Sequence, residues 1–86
     1  MISGKTSSGF AFSLEDHVLD NMELVDAIVE ADNNPAAISQ VVKMILTTEQ
    51  KKALYDHLRT KHGNVPIMAV VNEVVEMFNS TPQGKN

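Results

Sequence analysis

The stretch that decides the fold is residues 66–79, PIMAVVNEVVEMFN, the most apolar segment of the 86-residue chain. It predicts a helix, because Pro66 suits a first helical turn, where its missing N–H costs nothing. One face of this helix is apolar throughout and is enough for the core: Ile67, Val70, Val71, Val74 and Phe78. Met68 and Val75 lie seven residues apart on another face. The segment therefore predicts either a helix buried on most sides or a helix with an exposed contact surface.

Three more helices are predicted N-terminal to this segment. The first begins at Val18 or Asp20 and ends at about Ala31, because Asp20 and Glu23 form a start similar to a capping box. Its apolar face is predicted to be Met22, Val25, Ile28 and Val29. The second begins at Pro35 and places apolar residues at the i, i+3, i+4, i+7 spacing of a core-facing helix: Ile38, Val41, Val42 and Ile45.

The third helix is predicted from Thr47 or Thr48, either of which caps a helix well, to about Lys61. Gly63 supplies the left-handed residue that commonly stops a helix. The residues predicted to point inward are Ala53, Leu54 and Leu58.

An extended segment is predicted before the helices, because Phe10, Phe12 and Leu14 alternate with small residues. The short connections between helices then predict an all-α fold, a compact bundle of about four short helices with an extended N-terminal arm or short strand. The predicted organisation is a flexible lead-in (1–9), a single helical domain (10–79) and a flexible tail (80–86).

Composition argues against an enzyme or a metal protein. The chain has no cysteine, which excludes disulfides, thiolate zinc sites and cysteine nucleophiles. His57 and His62 are five residues apart, unlike the i, i+4 pair of a zinc helix. The chain also lacks a glycine loop that would hold a phosphate. We therefore expect no catalytic residue, no metal and no cofactor.

The charge pattern favours association with protein. A net charge of -4 argues against nucleic acid, and no apolar run is long enough to span a membrane. Residues 15–32 carry seven acidic side chains and no Lys or Arg, whereas the charged side chains of residues 43–62 are mostly basic. The acidic and basic segments predict head-to-tail pairing of copies into a homo-oligomer, or else two separate solvated faces. The residues assigned to self-association are Asp20, Glu23, Asp26, Glu30, Lys51, Lys52 and Arg59.

Exposed apolar residues predict where a partner binds. The residues assigned to partner binding are Met68, Val75, Met77, Phe10 and Phe12. Methionine supports this assignment weakly, because its flexible thioether suits adaptable surfaces as well as irregular cores.

A DNA-binding regulator is the alternative. The second and third predicted helices are joined by a short link, as in a helix-turn-helix, and Gln50, Lys51 and Lys52 begin the third. Such residues read base edges from the first turns of a recognition helix. The acidic total and the acidic first helix argue against this alternative.

The chain from Phe10 to Phe78, about four-fifths of its length, resembles the tail assembly chaperones of long-tailed, siphovirus-type bacteriophages and prophages of Gram-positive bacteria. The matching stretches are Gly9-Phe10-Ala11-Phe12, Leu19-Asp20-Asn21-Met22-Glu23-Leu24-Val25, Asp32-Asn33-Asn34-Pro35, Leu46-Thr47-Thr48-Glu49-Gln50-Lys51-Lys52-Ala53-Leu54 and His62-Gly63-Asn64-Val65-Pro66.

This resemblance implies a small helical protein that binds the tape measure protein, shields its long apolar helices from aggregation and recruits tail tube protein. It also implies a chaperone that works in the host cytoplasm and is absent from the finished virion. A frameshifted, longer form is common in the family. The family offers no catalytic residue to transfer to this chain.

Overall fold

The computed structural model describes residues 1–80. In it, an N-terminal β-hairpin is followed by helices. The strands are β1 (Ile2–Lys5) and β2 (Ala11–Leu14). The α-helices are α1 (Asp16–Leu19), α2 (Met22–Asn33), α3 (Ile38–Ile45), α4 (Thr48–Leu58) and α5 (Ile67–Asn79). A 3-10 turn, Pro35–Ala37, leads into α3. The mostly helical fold is confirmed, and the N-terminal arm is a strand with a partner. Apart from Ser80, the predicted tail (80–86) lies outside the described residues.

The hairpin corrects the prediction for residues 1–9, where β1 stands in place of a flexible lead-in. β1 pairs antiparallel with β2, so that Gly4 lies opposite Phe12. A side chain at Gly4 would meet the Phe12 ring at 3.1 Å, so the ring packs over the bare glycine backbone. The strand escaped prediction because most of β1 is exposed and shows no apolar alternation. Its position depends on a partner strand rather than on its own pattern.

Helix α2 begins at Met22, later than the predicted start at Val18 or Asp20. Asn21 is its N-cap, and the Asn21 side-chain oxygen accepts a hydrogen bond from the Glu23 backbone N–H at 3.0 Å. The predicted cap, Asp20, instead ends the one-turn helix α1, and its N–H donates to the Asp16 carbonyl. The prediction was wrong because two neighbouring residues have side chains suited to capping.

The core-facing side of α2 also differs from the prediction. Leu24 and Ala31 are buried, whereas Met22 is 68% exposed and Val29 is 58% exposed. α2 packs against α3 and the 3-10 turn. Because its inner side includes small residues, the large side chains of α3 find room against it. Of the predicted face, Met22 and Val29 are therefore left outside, while Val25 and Ile28 are half-buried.

Helix α3 and the start of α4 follow the prediction. The predicted core residues of α3 are all buried: Ile38, Val41, Val42 and Ile45. Thr47 caps α4, with its hydroxyl oxygen accepting from the Gln50 N–H at 3.2 Å. The Gln50 side-chain oxygen accepts in return from the Thr47 N–H at 2.9 Å, which completes a capping box.

The end of α4 was predicted wrongly. The helix ends at Leu58, and Ala53 is exposed rather than inward-facing. Gly63 has the expected positive φ of 91°, but it lies in a separate turn in which its N–H donates to the Thr60 carbonyl at 2.9 Å. The glycine therefore shapes the connection to α5 rather than stopping α4.

The core side of α5 is displaced from the predicted face. The buried residues follow the i, i+3, i+4, i+7 spacing: Val70, Glu73, Val74 and Met77. Ile67, predicted to lie in the core, is exposed, and Val71 and Phe78 are half-buried. The apolar pattern missed this side because one of its four positions carries a glutamate.

Candidate functional site

Exposed large apolar side chains concentrate on α2 and α5. Five of the six in the described part of the chain lie on these two helices: Met22, Val29, Ile67, Met68 and Val75. Both helices contact α3 and the 3-10 turn. α2 and α5 therefore both pack on α3 and the 3-10 turn, and their outer faces carry the exposed apolar side chains.

A groove of about 270 Å³ runs between the two helices, and we call it the α2–α5 groove. Its lining residues are Ile28, Val29, Ala31, Asp32, Ile38, Val71, Val74 and Val75. Asp32 is the single polar side chain among them. A cleft lined in this way takes an apolar ligand surface rather than a charged small molecule.

The apolar surface continues beyond this groove towards the start of α5. A second cleft, of about 280 Å³, is lined by Pro35, Ala36, Ile38, Ser39, Tyr55, Val65, Ile67 and Val70. Ile38 lines both clefts, so they adjoin each other. Together they give α5 an apolar flank along much of its length.

The predicted partner-binding residues separate into two groups. Met68 is 57% exposed and Val75 is 39% exposed, and Val75 lines the α2–α5 groove. Met77 and Phe12 are buried in the core, although Phe12 also lines a pocket beside Phe10. Their apolar character serves packing instead, which the sequence pattern alone did not distinguish from contact.

Phe10 lies away from the groove. It is half-buried, with its ring centre 5.6 Å from that of His57. It lines a separate pocket that includes Leu46 and Gln50 and shares no residue with the α2–α5 groove. The structure therefore does not join the aromatic entry to Met68 and Val75 in one site.

A polar cluster at the hairpin turn was missed by sequence reasoning. The Thr6 hydroxyl donates to Glu73 Oε1 at 2.7 Å, and both residues are buried. The Ser7 N–H and hydroxyl donate to the two carboxylate oxygens of Glu76 at 3.0 Å each. These contacts dock the turn of the hairpin on α5 and explain why a glutamate occupies the core side of that helix.

The same turn brings a serine to a histidine without forming a catalytic pair. His57 Nε2 lies 3.2 Å from the Ser8 hydroxyl and 3.1 Å from the Ser8 carbonyl oxygen. No carboxylate in residues 1–80 hydrogen-bonds the other ring nitrogen, as the orienting group of a triad would. The nearby Asp56 pairs with Arg59 instead. The contact fixes the turn against α4.

The residues assigned to self-association are distributed unevenly. The four acidic ones, Asp20, Glu23, Asp26 and Glu30, are all exposed. Among the basic ones, Lys52 is exposed and Lys51 is half-buried. Arg59 is engaged within the chain, because its guanidinium contacts Asp56 at 3.1 Å and donates to the Gly63 carbonyl at 2.8 Å. Of the basic set, Lys52 is the one that is exposed and forms no ion pair within residues 1–80.

The residues of the DNA-binding alternative are also partly engaged. The Gln50 side-chain nitrogen donates to the Ser13 carbonyl at 3.0 Å, while its oxygen completes the α4 capping box. Because the side-chain nitrogen and oxygen of Gln50 are both hydrogen-bonded, these bonds have to break before the side chain can contact a base. DNA binding stays a prediction.

Within residues 1–80, no three His, Asp or Glu side chains are grouped so that they could hold a metal ion. No helix in that range combines the length and apolarity needed to cross a bilayer. Comparison with protein-family models, curated proteins and solved structures gives no match. The α2–α5 groove is therefore the candidate site on physical grounds alone.

Proposed function

We propose that this protein is a non-enzymatic, self-associating tail assembly chaperone of a long-tailed bacteriophage or prophage, which binds apolar helices of the tape measure protein and recruits tail tube protein. The observation that carries the proposal is the apolar α2–α5 groove, with Val29 exposed on one wall and Val75 on the other. The family and its clients are what the sequence resemblance implies, and the groove supports the proposal because its lining suits an apolar client surface.

A helix is the ligand that suits this groove. An amphipathic helix laid into an apolar groove between two helices covers its own apolar face and that of the groove together. α5 has 13 residues, so the wall is about 20 Å long at the usual helical rise. A client helix of three to four turns spans such a wall.

The exposed apolar area predicts weak binding by a single copy. The exposed fractions of Met22, Val29, Met68 and Val75 together amount to about two side chains. Burying that much apolar surface is worth roughly 3–6 kcal/mol. The loss of translational and rotational freedom costs about 4 kcal/mol or more, so little net affinity remains.

Several copies on one client overcome this limit. Once one copy is bound to a long client, linked neighbours bind at a high effective concentration, which raises the overall affinity without any new contact. Exposed Asp20 and Glu23, at the start of α2, and exposed Lys52 on α4 offer opposite charges for contact between neighbours. Self-association and client binding are therefore parts of one mechanism in this proposal.

Co-expression with the tape measure protein of the proposed phage or prophage tests the proposal. We expect the chaperone to keep the tape measure protein in the supernatant. The double variant Met68→Glu/Val75→Glu should lose this effect, because carboxylates on the apolar surface disfavour its burial against a client. Both positions are exposed, so the fold should persist, as circular dichroism would verify.

The matched control is His17→Glu/Gln40→Glu, which adds the same number of carboxylates at exposed polar positions that line neither cleft. This control should protect the tape measure protein as well as the parent chain does. Equal protection by the Met68/Val75 variant, or none by the parent chain, would count against the proposal.

A further inference from the structure

The two walls of the α2–α5 groove differ in charge in a way that the proposed function does not require. α2 carries four acidic residues and α5 two, and neither helix contains a Lys, Arg or His. On α5 the carboxylates of Glu73 and Glu76 are bound by the hairpin turn. The acidic groups left for a ligand therefore belong to α2.

The acidic groups of α2 lie next to its exposed apolar surface. Asp26 and Asp32 stand three residues before and after Val29, so they are its neighbours on the helix surface. Asp32 itself lines the groove, and Asp26 and Glu30 are exposed. None of these three carboxylates forms an ion pair within residues 1–80.

The α5 wall offers polar groups of another kind. Asn72 and Asn79 are its exposed polar side chains, and both are neutral. A helix lying in the groove thus meets negative charge along one edge and uncharged amides along the other.

We propose that the α2–α5 groove selects an amphipathic client helix with Lys or Arg along one edge of its apolar face, and orients that edge against α2. This inference rests on the proposed function and adds the chemistry of the partner. An acidic edge would be repelled by Asp26, Glu30 and Asp32, whereas a basic edge is attracted to them. The aliphatic stems of Lys and Arg also cover the apolar surface beside those carboxylates.

A second copy of the chain does not meet this requirement with its most basic helix. α4 carries Lys51 and Lys52, but its apolar residue Leu54 is fully buried and the exposed Ala53 offers only a methyl group. It supplies the charge without the apolar anchors. A separate helix with both features is the better occupant.

Fluorescence anisotropy with three synthetic peptides tests the inference. The peptides share one Ala-rich helical framework of about 60 residues, long enough for several copies of the chain to bind side by side, and one apolar face, and they carry Lys, Gln or Glu along one edge. At low salt the Lys peptide should bind the full chain at least about tenfold more tightly than the Glu peptide, with the Gln peptide between them. Raising the salt to about 0.5 M should bring the three affinities together, because exposed charges are then screened.

Variants of the chain locate the effect. Asp26→Asn/Asp32→Asn should weaken the Lys peptide about three- to tenfold and leave the Gln peptide unchanged. The control Glu49→Gln removes one exposed carboxylate from α4, as the single variant Asp32→Asn does from α2, and should alter neither affinity. A Lys peptide with scrambled apolar positions should not bind, which separates groove binding from general attraction to an acidic protein.

The outcomes distinguish this inference from the proposal on which it rests. Equal affinity for the three peptides at low salt overturns the charge preference and leaves helix binding intact. Absence of binding by every peptide overturns both, as does a tight dimer whose groove no peptide enters. Equal weakening of the Lys peptide by the Asp26/Asp32 and Glu49 variants overturns the assignment of the basic edge to α2.

Discussion

Replacing Thr6 with valine should destabilise the protein by about 1.5–3 kcal/mol, although the two side chains have nearly the same shape. The Thr6 hydroxyl donates a 2.7 Å hydrogen bond to Glu73 Oε1 in a buried setting. It also accepts from the Phe10 N–H at 3.2 Å. Valine removes both bonds and leaves a buried carboxylate without this donor.

The size of the effect follows from the charge of the acceptor. Hydrogen bonds to charged groups contribute about 1.5–3 kcal/mol, more than neutral bonds do. In a domain of this length, each kcal/mol lowers the melting temperature by about 4–8 °C. Urea unfolding followed by circular dichroism resolves a change of that size. Ser7→Ala is the matched control, because its exposed contact with Glu76 should contribute about 0.5 kcal/mol or less.

A double-mutant cycle isolates the pair. Glu73→Met alone also leaves a buried partner unmatched, whereas Thr6→Val/Glu73→Met replaces both polar groups with apolar ones. We therefore expect the double variant to be more stable than Thr6→Val alone, with a coupling of about 1 kcal/mol or more. Additive effects, with a coupling under about 0.5 kcal/mol, would refute the argument that this bond holds the hairpin to α5.

Two further predictions concern the helices. Asn21→Ala should lower the free energy of unfolding by about 0.5–2 kcal/mol, because α2 loses its cap, whereas Asp20→Ala should change it little. Urea unfolding measures both variants. A larger loss for Asp20→Ala would show that Asp20 is the cap, as the sequence predicts. Leu54→Ala should cost about 2–5 kcal/mol, because Leu54 is fully buried, and Ala53→Ser beside it should be nearly neutral; equal thermal shifts would place α4 in another orientation.

Local signals explain which parts of the fold could be predicted. The Thr47–Gln50 capping box and the apolar spacing of α3 each lie within one short stretch, so the sequence alone indicates them. Strand β1 and Glu73 depend on partners that are distant in the chain. Thr6 and Glu73 are 67 residues apart, and no periodicity links them. The local apolar pattern therefore gives no reason to place Glu73 in the core.

The candidate site could be predicted in part for the same reason. Met68 and Val75 were recognised because α5 has more apolar residues than one face requires. Val29, on the opposite wall, was assigned to the core, and Met77 to the surface. Each helix supplied its own pattern, but the groove exists only where two helices stand side by side on α3.

Helix α2 shows how one segment serves both packing and recognition. It carries two apolar strips: one includes Leu24 and Ala31 and is buried, and the other includes Met22 and Val29 and is exposed. Both strips satisfy helical spacing, so periodicity cannot choose between them. Ala31 permits close contact with α3, and that packing leaves Met22 and Val29 outside, with Val29 beside Asp32 in the groove. The packing that holds α2 in place is thus also what presents an apolar strip with acidic neighbours to a partner.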